Sequence, residues 1–409
     1  MKMNSKTKIE KLYDELPEII RTRLDKTVEV MCKTKRSGGR IGVVMGSGPN
    51  LHEGVTTLVA ELIHKGLVDS VLTSSAVVAH EMAGCLEKVK RVDGLQLGID
   101  ENLLPRDGKF EVSLLRPKDL EIIEKEITVD QDLIRSALDL SGDLVIKAAG
   151  NVAYPLGLRT EMISLEISML GKSTGHFFEE IAGLGADPRT MIGAGAQRNV
   201  PVLVTVPQLI GGGSVGIEIA DSTSMRRRSF MIAKTLASCD LIIESALALA
   251  QEIHDGPFET YTGHGIWSRW IGNYTYSLKN KAVIRIDLDP NLELAWGKER
   301  ESKVVTEAIA AGLPKTKSLG LPFRMEMSGF SRLSKSLPII GDIGTIWPII
   351  SYRSAEELGV KLDFLSFPQE TEEGKMMREW IVKEVNILDR DKMYEAVREK
   401  VDDRWDNSS

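Results

Sequence analysis

Six short apolar runs, separated by stretches of helical period, constrain the fold of this chain more than any other feature. They are IGVVMG at 41–46, SVLTSS at 70–75, DLVIKA at 143–148, PVLVTV at 201–206, DLIIES at 240–245 and AVIRID at 282–287. Runs without polar alternation suit strands covered on both faces, as in a parallel sheet. VTTLVAELIHKG follows the first and VVAHEMAGCLEKV the second, both with apolar residues three or four apart. Such repeated β-then-α order is expected to give an α/β fold: a doubly wound, mostly parallel, Rossmann-like sheet.

The flanks read differently. Ile9, Leu12 and Leu16 recur at helical spacing, Pro17 interrupts them, and Ile20, Leu24, Val28 and Met31 continue before Gly38 and Gly39. Three parts follow: an N-terminal helical segment over 1–39, an α/β domain over 40–312, and a loop-rich segment with a C-terminal helical cap over 313–409. Residues 100–140, rich in Leu and charge, suggest an insertion between the second and third strands. The cap is expected to pack on the sheet or on a neighbouring subunit.

The charge balance, 52 basic against 59 acidic side chains, excludes a sequence-independent grip on nucleic acid. No stretch approaches the roughly 18–20 apolar residues that span a bilayer, and MKMNSKTKIEKLYDEL is too charged for a secretory signal. Cys32, Cys85 and Cys239 lie too far apart for a zinc spacing or a disulfide framework. A cytoplasmic protein with no membrane partner is expected.

In an open parallel sheet, ligands bind beyond the carboxyl ends of the strands, so the strand ends supply the site candidates. The first strand runs into Gly46, Ser47, Gly48 and Asn50, where a helix start offers N–H groups to a phosphate. Leu51 stands where a dinucleotide fingerprint has its third glycine, so a plain strand-to-helix turn also fits. The second strand ends in Thr73, Ser74 and Ser75, able to bind ribose or phosphate or to cap the next helix. His80 and Glu81 follow. After the fourth strand, Gly212, Gly213 and Ser214 leave bare backbone beside the cleft. Ser245 ends the fifth strand, with Glu252 and His254 close behind. Asp287 ends the sixth and is assigned to a ribose, while Asp289 is assigned to the helix cap before Pro290. His52, His80 and His254 could converge, but no histidine pair has zinc-enzyme spacing and no metal is expected. Arg226, Arg227 and Arg228 suit a solvated or interface face.

The stretch GSGPNLHEGVTTLVAELIHKGLVDSVLTSSAVVAHEMAGCL resembles the opening of the deoxyhypusine-synthase-like NAD-binding fold. It is especially similar to the archaeal-type ornithine cyclodeaminases, the family of the LOR/SDH conserved region. His52 and Gly54 after the first strand, His80-Glu81 after the second, IRIDLDP, and GAGAQRNVPVLVTVPQLIGGGSVG carry the likeness, over about residues 40–300. The resemblance implies an NAD-binding sheet in a homo-oligomer, a dimer or tetramer. It also implies that NAD transiently oxidises an amine carbon of a small amino acid or polyamine to an imine, giving deamination or aminoalkyl transfer. His80, Glu81, Glu252 and His254 are then the candidates for proton transfer or amine binding. AWGKER places Lys298 in a Trp-Gly-Lys motif like that of the synthases' imine-forming lysine, although after the sixth strand rather than before it. The synthases' acidic residues in the GGGSVGIE turn and their glycine triplet after the fifth strand are missing here. A non-catalytic nucleotide-binding sensor or assembly protein on the same sheet is the alternative, and a flavin-adapted sheet a third reading.

Overall fold

A computed structural model describes residues 5–46, 48–205, 209–245, 280–301 and 335–406, with isolated positions between 303 and 320. Among the described residues, the strands are β1 (Ile41–Met45), β2 (Ser70–Thr73), β3 (Leu86–Asp93), β4 (Lys109–Ser113), β5 (Asp143–Ala148), β6 (Val202–Val204), β7 (Leu241–Ser245), β8 (Ala282–Asp287) and β9 (Ser336–Ile340). Six form one sheet in the order β6-β2-β1-β7-β8-β9, and every neighbouring pair is parallel. Numbered among themselves, these strands run 3-2-1-4-5-6, the order of doubly wound dinucleotide-binding sheets.

The apolar runs are strands because both faces are covered. Ile41, Val43, Met45, Val71, Ile243 and Ile284 join a large core with the helices Glu18–Arg36, Val55–His64 and Ile343–Glu357. Val44, Leu72, Leu203, Ile242 and Val283 face the helix Met225–Ala237 on the other side. Side chains alternate between faces with period two, yet none meets water. Each fully buried aliphatic side chain contributes about 1.5–3 kcal/mol relative to exposure. Gly42 is small for a reason: a Cβ there would stand 2.7 Å from Cys239 Sγ.

Two features of the sheet depart from the sequence reading. DLVIKA is not in the parallel sheet; as β5 it belongs to an antiparallel sheet ordered β4-β3-β5. An apolar run specifies a strand but not its partner, and here Asp143 and Leu144 are exposed. The insertion therefore starts near Leu86, with the helices Pro117–Glu126 and Gln131–Asp139 packed along it. The sixth parallel strand is β9, inside the segment expected to be loop-rich. Pro338 lacks the N–H a central strand needs, but β9 is an edge strand and tolerates it.

The opposite edge is sealed. Glu179 accepts the Val204 N–H at 2.6 Å, and Arg228, ion-paired with Glu179, donates to the Val204 carbonyl at 3.0 Å. Both side chains are fully buried, so Arg228 is no part of a solvated face. Together they occupy the outward-facing N–H and C=O of Val204, through which β6 could pair with another strand. The C-terminal segment packs on its own chain: Arg116 and Arg159 donate to the carbonyls of Val385 and Leu388, and the Leu388 N–H donates to Met82 O. No helix is long and apolar enough to cross a membrane among the described residues.

Candidate functional site

The strand order puts the topological switch point, where sheets of this order bind ligands beyond the strand ends, between the carboxyl ends of β1 and β7. The Gly46 N–H donates to Ser245 O at 3.2 Å, tying these two ends together. Asn50 reinforces the tie. Its amide donates to Gly46 O at 3.1 Å and Ser245 O at 3.3 Å, while its Oδ1 accepts from Ser245 Oγ at 2.8 Å. Trp347 Nε1 in turn donates to Ser245 Oγ at 2.9 Å. Asn50 and Ser245, chosen as cofactor contacts, thus spend their polar groups on each other and on a buried tryptophan. Gly48 begins the short helix Gly48–His52, and a methyl group added to it would stand in open space. Ser47 lies outside the described residues.

At the neighbouring strand ends, Ser74 caps the helix Ser75–Met82 by accepting the Val77 N–H. Ser75 Oγ donates to Leu209 O at 2.7 Å and accepts the Gly212 N–H at 2.8 Å, which fixes the glycine turn against the sheet. Gly212 abuts Ser75 so closely that a Cβ would lie 2.7 Å from its backbone carbon. Gly213, at φ +61 and ψ −136, holds a conformation only glycine adopts readily. Two hydroxyls here are buried without a partner among the described residues: Thr73 Oγ1 and Ser214 Oγ.

On the other flank, Glu244 and Arg285 are buried opposite each other, 3.5 Å apart, and burial pushes the Glu244 carboxyl up. Asp287 accepts the Asp289 N–H with Oδ1 at 3.0 Å, and its Oδ2 is buried with no partner among the described residues. Asp289 accepts the Asn291 N–H, the capping role expected of it. Lys298 is exposed on the helix Asn291–Glu301, and Glu252 and His254 lie outside the described residues.

A second group gathers where the carboxyl edge meets the antiparallel sheet. His80 Nδ1 is hydrogen-bonded to Ala149 O; a carbonyl only accepts, so Nδ1 carries the proton and Nε2 the lone pair. Burial, more than any neighbour, holds the His80 pKa below its ordinary value. Glu81 does not share that location. It is fully buried, and its two oxygens accept the N–H groups of Met191 and Ile192 at 2.8 and 3.1 Å. Glu81 therefore anchors a helix start, and burial pushes its carboxyl up to about 7.

His52 lies within reach of His80. Its pKa is lowered first by burial, then by the charges of Arg378, His80 and Lys147. Arg378, on the helix Glu372–Glu384 of the C-terminal segment, places Nη2 3.3 Å from His52 Nδ1 and donates to Ile146 O at 2.6 Å. A guanidinium only donates, so His52 Nδ1 is the acceptor and its Nε2 carries the proton. The adjacent Glu53 is buried; its Oε2 accepts the Gln369 N–H at 2.8 Å, and burial pushes its carboxyl up to about 7. Sequence reading missed Arg378 and Trp347, because nothing in EEGKMMREWIVKE or IGTIWPII distinguishes them from an ordinary amphipathic face. No group of His, Cys, Asp and Glu suited to a metal occurs among the described residues.

No protein-family model matches the chain, and no curated protein does. Among solved structures it is similar to a conserved putative LOR/SDH protein from Methanococcus maripaludis S2, at 11% identity and TM-score 0.39, over 85% of this chain and 70% of that one. It is similar to AgrE, solved with ornithine and NAD+, at 10% identity and TM-score 0.40, over 84% of this chain and 34% of that one. The values for ArgZ, an arginine dihydrolase from the ornithine–ammonia cycle in cyanobacteria, are 11% and 0.38, over 84% and 32%. This chain thus spans about a third of the length of AgrE and ArgZ. Likeness this distant transfers no residue assignment.

Proposed function

We propose that this chain binds NAD across the carboxyl edge of its parallel sheet. In this reading it is an NAD-dependent enzyme acting at a carbon–nitrogen bond of a small amino acid or polyamine. The observation that carries the cofactor reading is Asp287. A buried carboxylate oxygen without a hydrogen-bond partner is costly, and this one, unpartnered among the described residues, sits at a strand end in a 3-2-1-4-5-6 sheet, where a ribose diol would supply donors. Thr73 Oγ1 and Ser214 Oγ are further orphaned groups on the same edge, and Gly48 and Gly213 leave room for close backbone approach. Asn50 and Ser245 hold β1 and β7 in register behind the cofactor, while Ser74 and Ser75 set the turn beside it.

Bound NAD would supply a hydride acceptor. The chain's part is to place the amine and keep it neutral. His80 suits the removal of the amine proton, because burial disfavours the imidazolium and so leaves its Nε2 lone pair available at neutral pH. Glu252 and His254, following β7, are further candidates for proton transfer, and Lys298 for imine formation. The family reading is that of the LOR/SDH conserved region, with an ornithine cyclodeaminase-like reaction and self-association into a homo-oligomer.

The test is to incubate the protein with NAD and ornithine, lysine or polyamines. Near-ultraviolet absorbance then follows transient NADH, and ammonia release is assayed alongside. His80→Ala is expected to abolish turnover and to spare NAD affinity. NAD binding without turnover on any of these amines would favour a non-catalytic sensor, a reading supported by the missing acidic residues in the GGGSVGIE turn and the missing glycine triplet after β7.

A further inference from the structure

We infer that Arg378 is the anchor for a ligand carboxylate, which makes the substrate an amino acid rather than a polyamine. The inference rests on the reading of the site as an amine-oxidising one and narrows its substrate class. Four basic side chains, His52, His80, Lys147 and Arg378, approach one another where the carboxyl edge meets β5. Lys147 is neutralised by Glu111, 2.6 Å away. Arg378 has no such direct partner, and Glu53 and Glu379 act on its charge only from beyond ion-pair distance. No carboxylate lies within ion-pair distance of it among the described residues, and its buried Nε–H has no acceptor. The nearby carboxylates are otherwise engaged: Glu379 pairs with Lys88 at 2.7 Å, and Glu53 accepts the Gln369 N–H.

A half-buried guanidinium held by one carbonyl and one imidazole is costly unless an anion completes it. Carboxylate is the matching partner, since the planar guanidinium fork accommodates two oxygens. His52 Nε2–H is a further donor on the imidazole that Arg378 touches. His80, whose Nε2 keeps its lone pair, is the neighbouring base for the amine. A diamine brings positive charge to this cluster and no anion to satisfy it.

The experiment compares ligand pairs that differ only in the carboxylate: L-ornithine with putrescine, L-lysine with cadaverine, and L-arginine with agmatine. Calorimetric titrations would be run on the full chain with and without saturating NAD. At least one amino acid is expected to bind about 100-fold more tightly than its decarboxylated partner. Arg378→Met should abolish that preference and leave NAD affinity within about twofold, while Arg378→Lys should keep part of it. Equal or tighter binding of the diamines overturns the inference, as does an unchanged preference in Arg378→Met, or no response to any of the three amino acids. The ligand pairs need no variant, so loss of the Ile146 contact cannot mask the answer. A chain that binds no NAD but still prefers ornithine to putrescine refutes the cofactor reading and supports the anchor.

Discussion

Asn50, Ser245 and Trp347 form a chain of hydrogen bonds in which each side chain answers the polar need of the next. Ser245→Ala would leave buried groups of Asn50 and Trp347 without a partner. A loss of about 1–3 kcal/mol is expected, read from urea unfolding midpoints. Glu81 gives a pH signature. Its carboxyl titrates near 7 in the folded chain against an ordinary 4.5, so the native state holds the proton to higher pH than the unfolded state. The stability this group contributes is therefore full below about 4.5 and is lost as pH rises through about 7. Glu81→Gln should flatten that part of the stability profile, by on the order of 2 kcal/mol between pH 5 and 8. A profile as steep in the variant as in the parent would assign the slope to other groups. At this scale the sequence was a partial guide. Residue types at the strand ends pointed to polar chemistry, but not to which groups satisfy one another. That depends on packing between β1, β7 and a helix about a hundred residues further on.

Elements were more legible. Five of the six apolar runs became parallel strands because period and length are local properties that burial on both faces enforces. The two errors share a cause. DLVIKA and SLPII are strands whose sheet and position are decided by partners far away in sequence, and Pro338 gave SLPII the character of a turn. The sealed edge at β6 offers a test of an element. Arg228→Met would strand the fully buried Glu179 carboxylate and is expected to cost about 3–5 kcal/mol in chemical unfolding. Replacing Glu179 as well, by Gln, should recover part of that loss, so the double variant is less destabilised than the sum of the single changes. Strict additivity would mean that the two side chains act independently.

For the whole molecule, the strand order assembles separate local choices along one carboxyl edge, flanked on one side by the antiparallel insertion and the helix Glu372–Glu384 that carries Arg378. The doubly wound class could be read from the sequence, because β-then-α alternation admits few topologies. The convergence of His52, His80 and Arg378 could not, since residues 52, 80 and 378 meet only after the tail folds back over β3 and β5. The most direct measurement is calorimetric titration of NAD into the full chain and into Asp287→Ala. Saturable binding, weakened at least about tenfold by the substitution at an unchanged unfolding midpoint, is the expected result. No binding to the parent chain, or equal affinity in Asp287→Ala, would contradict the assignment of the carboxyl edge to NAD.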